Sequence, residues 1–151
     1  MKRLTIENGA IFLVPIGSER FAVGVVIQAD GKGRAVGALF GPSVSSAAEV
    51  SAEHLRLDSA VLICRFGDHG LHSKRWPVIG MIPNWSEGPW SVSKFVRRHD
   101  SPDRCYVTEY DASLRVVSEC VLPIGAGKML PEDAQYGSGV VEVKLAKALA
   151  P

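Results

Sequence analysis

The 151-residue chain lacks any run of about 18 apolar residues, the length a membrane-spanning helix needs. It also lacks a charge of one sign. Seventeen basic against sixteen acidic residues leave a formal charge of +1, which argues against bulk electrostatic binding to DNA, RNA or an anionic membrane. The same balance argues against an acidic mimic that blocks a basic enzyme by charge alone. Cysteine is scarce: Cys64, Cys105 and Cys120 are odd in number, widely spaced and without a CxxC pair. Neither a disulfide framework nor a thiolate zinc site follows, and a reducing cytoplasm is the simplest compartment. A phosphate-binding loop is missing as well. "GAGK" (Gly125–Lys128) lacks the preceding glycine spacing, and Met129 stands where a hydroxyl would bind magnesium. The basic pair Lys2–Arg3 opens the chain as a secretory leader would. The apolar run behind it, Ala10–Ile16, is short, contains Pro15 and has no small-residue cleavage site, so it reads as a first strand.

What is present is an ordinary globular composition, 46% hydrophobic and 22% charged, in a length that suits one domain over residues 1–151. Most of the pattern is extended. Ala10–Ile16, Arg20–Asp30 and Arg34–Pro42 are rich in β-branched and aromatic residues, and "DGKG" between the last two is a hairpin signal. Gly24 and Gly37 interrupt these strands and predict bends, as a sheet curling toward a small barrel requires. Pro42–Ala60 is a small-residue loop with a helical turn across Ala47–Leu55. Ala60–Asp68 reads as a buried strand, followed by a turn and an extended Leu71–Pro83. Asn84–Asp103 reads as loop. Arg104–Asp111 and Leu114–Pro123 form a second hairpin, and Gly139–Ala150 forms a helix with Ser138 as its N-cap. The expected fold is mainly β: a curled antiparallel sheet or small barrel with a C-terminal helix.

The search for chemistry gives little. His69 and His72 approach metal-ligand spacing with Asp68, but a turn glycine intervenes and a third strong ligand is missing, so exposed turn histidines are the better reading. Cys64 lies near those histidines, yet its apolar neighbours describe a core thiol, not a nucleophile. Cys105 and Cys120 receive the same reading. Glu109 and Asp111 share a strand face, with Glu119 across the hairpin, and solvated outer-face charges explain them as well as a catalytic pair does. The cluster "KFVRRH" mixes cations with an aromatic, as single-stranded nucleic-acid sites do, but Asp100 and Asp103 cancel much of its charge. No catalytic residue, metal or cofactor is expected.

All three tryptophans fall within "KRWPVIGMIPNWSEGPW", Lys74–Trp90. Tryptophan concentrates in cores and at binding hot spots because its large apolar body carries one polar N–H. Strand alternation in "RWPVIG" turns Trp76 and Val78 inward and Arg75 outward. Trp85 and Trp90 flank a turn, where they either cap the core or face a partner. "RWPVIGMIP", preceded by "VLICRFGDHGLHSK", together with the opening "GAIFLVPIGSERFAVGVVI", resembles the Imm26 family of bacterial immunity proteins. The resemblance runs from about Asn8 to Pro123; "GPSVSSAAEVSAEHLRL" departs from it, being richer in Ser and Ala. It implies a mainly β, cytoplasmic, non-catalytic protein that neutralises a cognate polymorphic toxin by stoichiometric contact. Arg75, Trp85, Trp90, Arg97 and Arg98 are the expected contact residues, with Trp90→Ala expected to weaken toxin binding at nearly unchanged thermal midpoint. A small-ligand or peptide-binding β-barrel with tryptophans at its mouth is the alternative. The sequence leaves the oligomeric state open.

Overall fold

The computed structural model describes residues 5–150, so the Lys2–Arg3 pair lies outside the described residues. Strands β1 (Ala10–Gly17), β2 (Arg20–Ala29), β3 (Arg34–Val44) and β4 (Leu62–Gly67) follow one another as antiparallel neighbours. β5 (Val78–Met81) joins the free edge of β1, and β9 (Gln135–Tyr136) joins β4 in parallel, giving the order β5-β1-β2-β3-β4-β9. A second sheet has the order β6-β7-β8, from β6 (Lys94–Arg98), β7 (Arg104–Tyr110) and β8 (Val116–Pro123). The fold is mainly β, as expected, with a curled first sheet. The barrel alternative is not realised, because β5 and β9 stand at opposite ends of an open sheet.

The apolar runs of β1–β3 are continuous because both faces of the first sheet are covered. Phe12, Val14, Val26, Leu39 and Phe66 turn to one side, where they meet Leu71, Trp76 and the helix residues Val141 and Leu145. Ile11, Leu13, Val23, Val25 and Phe40 turn to the other, against Trp90, Phe95 and Leu114. The period of two along each strand thus feeds two separate cores. Gly24 and Gly37 act differently from expectation. Gly24 sits in regular register with Phe12 and Leu39, and a Cβ there would meet the Phe12 ring at 2.4 Å. At Gly37 a Cβ would meet Phe66 at 2.6 Å, although an irregularity does lie between its partner Val26 and Gln28. These glycines make room for rings lying across the sheet more than they bend it.

Several local readings change. The loop after β3 holds three 3-10 turns, Ala47–Glu49, Ala52–His54 and Leu57–Ser59, in place of one helical turn. "HGLH" is a one-turn helix, α1 (His69–His72), so Leu71–Pro83 is not one extended run. Val78 then starts β5 pointing outward at 49% exposure, and Trp76 precedes the strand. The stretch read as loop after Trp90 contains β6. Helix α2 (Ser138–Ala148) begins with Gly137 at its N-cap, and Ser138 is already helical. Cys105 is buried as expected, whereas Cys120 is exposed because β8 is an edge strand with all eight residues exposed.

Arg65 of β4 ties the two sheets together. Its Nη2 donates to Asp133 Oδ1 at 2.8 Å, and its guanidinium lies 4.6 Å from the Tyr110 ring centroid on β7 and 5.8 Å from that of Phe95 on β6. The Tyr110 hydroxyl donates to the same Asp133 oxygen at 2.6 Å. Burial, with that hydrogen bond, pushes the Tyr110 phenol up to about 12, so it stays a donor.

Candidate interaction surface

The three tryptophans serve two cores. Trp76 is fully buried, stacked on Phe12 at 5.7 Å and edge-on to Phe66 at 5.5 Å. Its Nε1 donates to Glu142 Oε2 on α2 at 2.9 Å. Arg75 grips the same carboxylate with two donors, Nε to Oε2 at 2.8 Å and Nη2 to Oε1 at 2.7 Å. Arg75 does face outward, but its head is committed to fastening α2. Hydrogen bonding from Arg75, followed by the Trp76 bond, outweighs burial and holds the Glu142 carboxyl below the usual range. A lowered folded pKa adds stability above the unfolded value near 4.5, and that stability is lost as pH falls through the folded value. Glu142→Ala leaves the Trp76 N–H buried without its acceptor and is expected to cost about 2 kcal/mol in urea denaturation at pH 7, Glu142→Gln about half. The gap between wild type and Glu142→Gln should narrow as pH falls below 4.5 and close once the folded carboxyl is protonated; a pH-independent gap would refute the ionic part of the argument.

Trp85 and Trp90 pack together at 5.7 Å between ring centroids. Trp90 is 6% exposed and edge-on to Phe40 at 6.1 Å, so it belongs to the second core. Trp85 is half-buried and lies over Gly9, where a Cβ would meet the indole at 2.8 Å. A φ of +89° at Gly9 gives glycine a second reason to stand there. The indoles therefore cap the core.

Two clefts open on either side of Trp90. One, about 490 Å³, has Trp90, Pro89, Leu55 and Leu57 as apolar lining and Arg56 and Asp58 as its charged rim. The other is lined by Ile27, Gln28, Ser91–Ser93, Tyr110 and Leu114, with Glu87 and Asp111 as its acids. Backbone N–H groups of Arg115 and Ser113 bond the Asp111 carboxylate and lower its pKa, keeping that rim ionised. Arg97 and Arg98 lie on β6 instead of a loop, and both are exposed. The Arg97 guanidinium sits 4.2 Å from the Tyr106 ring centroid and donates to Glu119 Oε1 at 2.8 Å. The structure thus joins Trp85 with Trp90 and puts Arg97 and Arg98 on opposite faces of β6, while Arg75 belongs to the α2 attachment. Sequence reasoning missed Arg56, Leu57 and Asp58, and weighed Asp111 only as a catalytic carboxylate. They come from segments far apart in the chain, and only the distinctive Ser/Ala-rich stretch pointed to the first of those segments.

The groups weighed for catalysis are dispersed. Cys64 is 1% exposed in the first core, and burial pushes its thiol up to about 12. His72 Nε2 lies 3.0 Å from Asp68 Oδ2, half-buried at the end of α1, where an exposed turn histidine was expected. Glu119 pairs with Thr108 and Glu109 with Ser118, so alternation puts these carboxylates on opposite faces of the second sheet. Among the described residues, no group of three His, Cys, Asp or Glu side chains forms a metal-binding arrangement. Among them too, no helix is long and apolar enough to cross a membrane.

Comparison with curated proteins and with solved structures gives no match. A family model described as immunity protein 26 matches residues 7–104 of the 151, from the approach to β1 through the start of β7 and including all three tryptophans. That span contains β1–β6, the loop of 3-10 turns and the first of the two Trp90 clefts in full. On this match, the chain belongs to the immunity protein 26 family.

Proposed function

We propose that the protein is a cytoplasmic immunity protein that binds one cognate bacterial toxin domain stoichiometrically and blocks it without turnover. The observation that carries the reading is a stiff two-core β platform with a tryptophan-floored cleft, in a chain of an immunity-protein family. The docking surface is the rim around Trp90: Leu57 and Pro89 supply apolar contact, and Arg56 and Asp58 supply paired charges that orient a partner. Arg56 and Asp58 are 75% and 72% exposed, so engaging them disturbs no packing. Arg98, on the β6 face opposite Arg97, provides a second basic contact. Trp85 and Trp90 act from beneath by holding the rim rigid, which lowers the ordering cost of binding. Arg75 is reserved for α2.

The test is a titration against a candidate cognate toxin domain. A 1:1 complex that suppresses toxin activity is expected, with Arg56→Glu raising Kd about tenfold or more at an unchanged thermal midpoint. Failure to form a complex or to protect against the toxin would sink the function. A complex indifferent to Arg56, Asp58 and Arg98 substitutions would sink only the choice of surface.

A further inference from the structure

The second sheet has one edge closed and one open. On β6, Val96 donates to the Pro131 carbonyl at 2.8 Å and accepts from the Asp133 N–H at 2.7 Å, so the chain itself covers that edge. Among the described residues, β8 has a strand neighbour, β7, on one side only, and every one of its residues is exposed. Edge strands are normally blunted by lysine, proline or a bulge within them. Here the proline stands at the far end, Pro123, and the register shift, with Glu109 opposite Ser118 but Tyr110 opposite Val116, puts a bulge at Val117 and leaves Ser118–Leu122 in regular register. Val116, Val117, Val121 and Leu122 are 58%, 57%, 42% and 37% exposed, a large apolar display for an uncovered edge.

The order of residues says what covers it. Val117-Ser118-Glu119-Cys120-Val121 reads the same by residue class in both directions about Glu119, and another apolar residue flanks each end. A two-fold axis through an antiparallel strand pair sets each residue against its mirror position. The bulged Val117 then lies beside the second copy's Val121, Ser118 meets Cys120, and Glu119 meets Glu119. Only the last pair is repulsive, and each Glu119 arrives already bonded to Arg97 of its own chain at 2.8 Å. Two carboxylates and two guanidiniums at the axis are electrically complementary. We propose that the β8 edge is a homodimer interface, in which two copies pair antiparallel about Glu119 into one six-stranded sheet.

Sedimentation equilibrium of the protein alone, with no toxin present, tests this independently of the immunity reading. A concentration-dependent dimer is expected, and Val121→Lys should abolish it without changing circular dichroism. Arg97→Ala should raise the dimer dissociation constant about five- to tenfold by exposing the paired carboxylates, and adding Glu119→Gln should restore it. Ser118→Cys should give a disulfide-linked dimer through Cys120 of the other copy on mild oxidation, since Cys64 and Cys105 are buried. A monomer at all concentrations up to millimolar, or a dimer indifferent to Val121→Lys, overturns the proposal. A monomer whose toxin binding is lost on Val121→Lys overturns it too, by giving the edge to the toxin.

Discussion

Asp133→Ala is expected to destabilise the protein by about 3–5 kcal/mol, because it leaves the Arg65 guanidinium buried without its counter-ion. The side chains are 12% and 8% exposed, far from the surface pairs worth about 0–1 kcal/mol. One Asp133 oxygen takes both the Arg65 and the Tyr110 donors, so a single substitution strips charge from β4 and a hydrogen-bond acceptor from β7. Asp133 also donates its backbone N–H to Val96, which fixes the carboxylate where the two sheets meet. Asp133→Asn keeps the shape and one oxygen and should cost less. Arg65→Met combined with Asp133→Leu removes both charges together and should cost clearly less than the sum of Arg65→Met and Asp133→Leu measured singly. Urea denaturation of the set checks this. Additive costs would mean that Arg65 and Asp133 stabilise separate things, and the description of a clamp would be wrong.

The clamp could not have been read from the sequence, for a physical reason: Arg65 and Asp133 are 68 positions apart and neither lies in a motif. What was legible is local. β-branched density and the Asp30-Gly31 turn located β2 and β3, and the Asp111–Ser113 turn located β7 and β8. Gly24 announced something unusual in β2, but only the structure shows that the reason is the Phe12 ring above it. β6 escaped because "KFVRR" is five residues with charges at both ends, and Phe95 alone carries its burial. Strand alternation put Trp76 inward correctly but failed at Val78, because the four-residue helix α1 ends just before and β5 begins only at Val78. Cys120 misled because alternation tells which residues share a face, not whether anything covers that face. The same limit applies to the Trp90 clefts, whose walls are assembled from four separated stretches. Of the three tryptophans only Trp90 lines these clefts, and the residues that meet solvent around it come from elsewhere in the chain.

Trp90→Ala is accordingly expected to lower the thermal midpoint by roughly 10 °C or more, where a surface indole would leave it almost unchanged. Trp90 is 6% exposed and its neighbours Phe40 and Trp85 are themselves large, so the space left cannot be refilled by small shifts. Trp85→Ala, at a half-buried position, should cost less. The prediction bears directly on how binding data are read. Loss of toxin binding by Trp90→Ala would reflect collapse of the cleft floor, and only measurements well below the lowered midpoint separate the two effects. Trp90→Phe supplies the control. It keeps an aromatic edge against Phe40 and should recover most of the stability. If Trp90→Phe folds like wild type and still binds the toxin fully, the indole contributes through packing alone. If it folds like wild type and binds more weakly, the 6% of Trp90 that reaches the cleft touches the partner. A Trp90→Ala protein with an unchanged midpoint would contradict the packing argument outright, because a residue that supports the second core cannot be removed without effect.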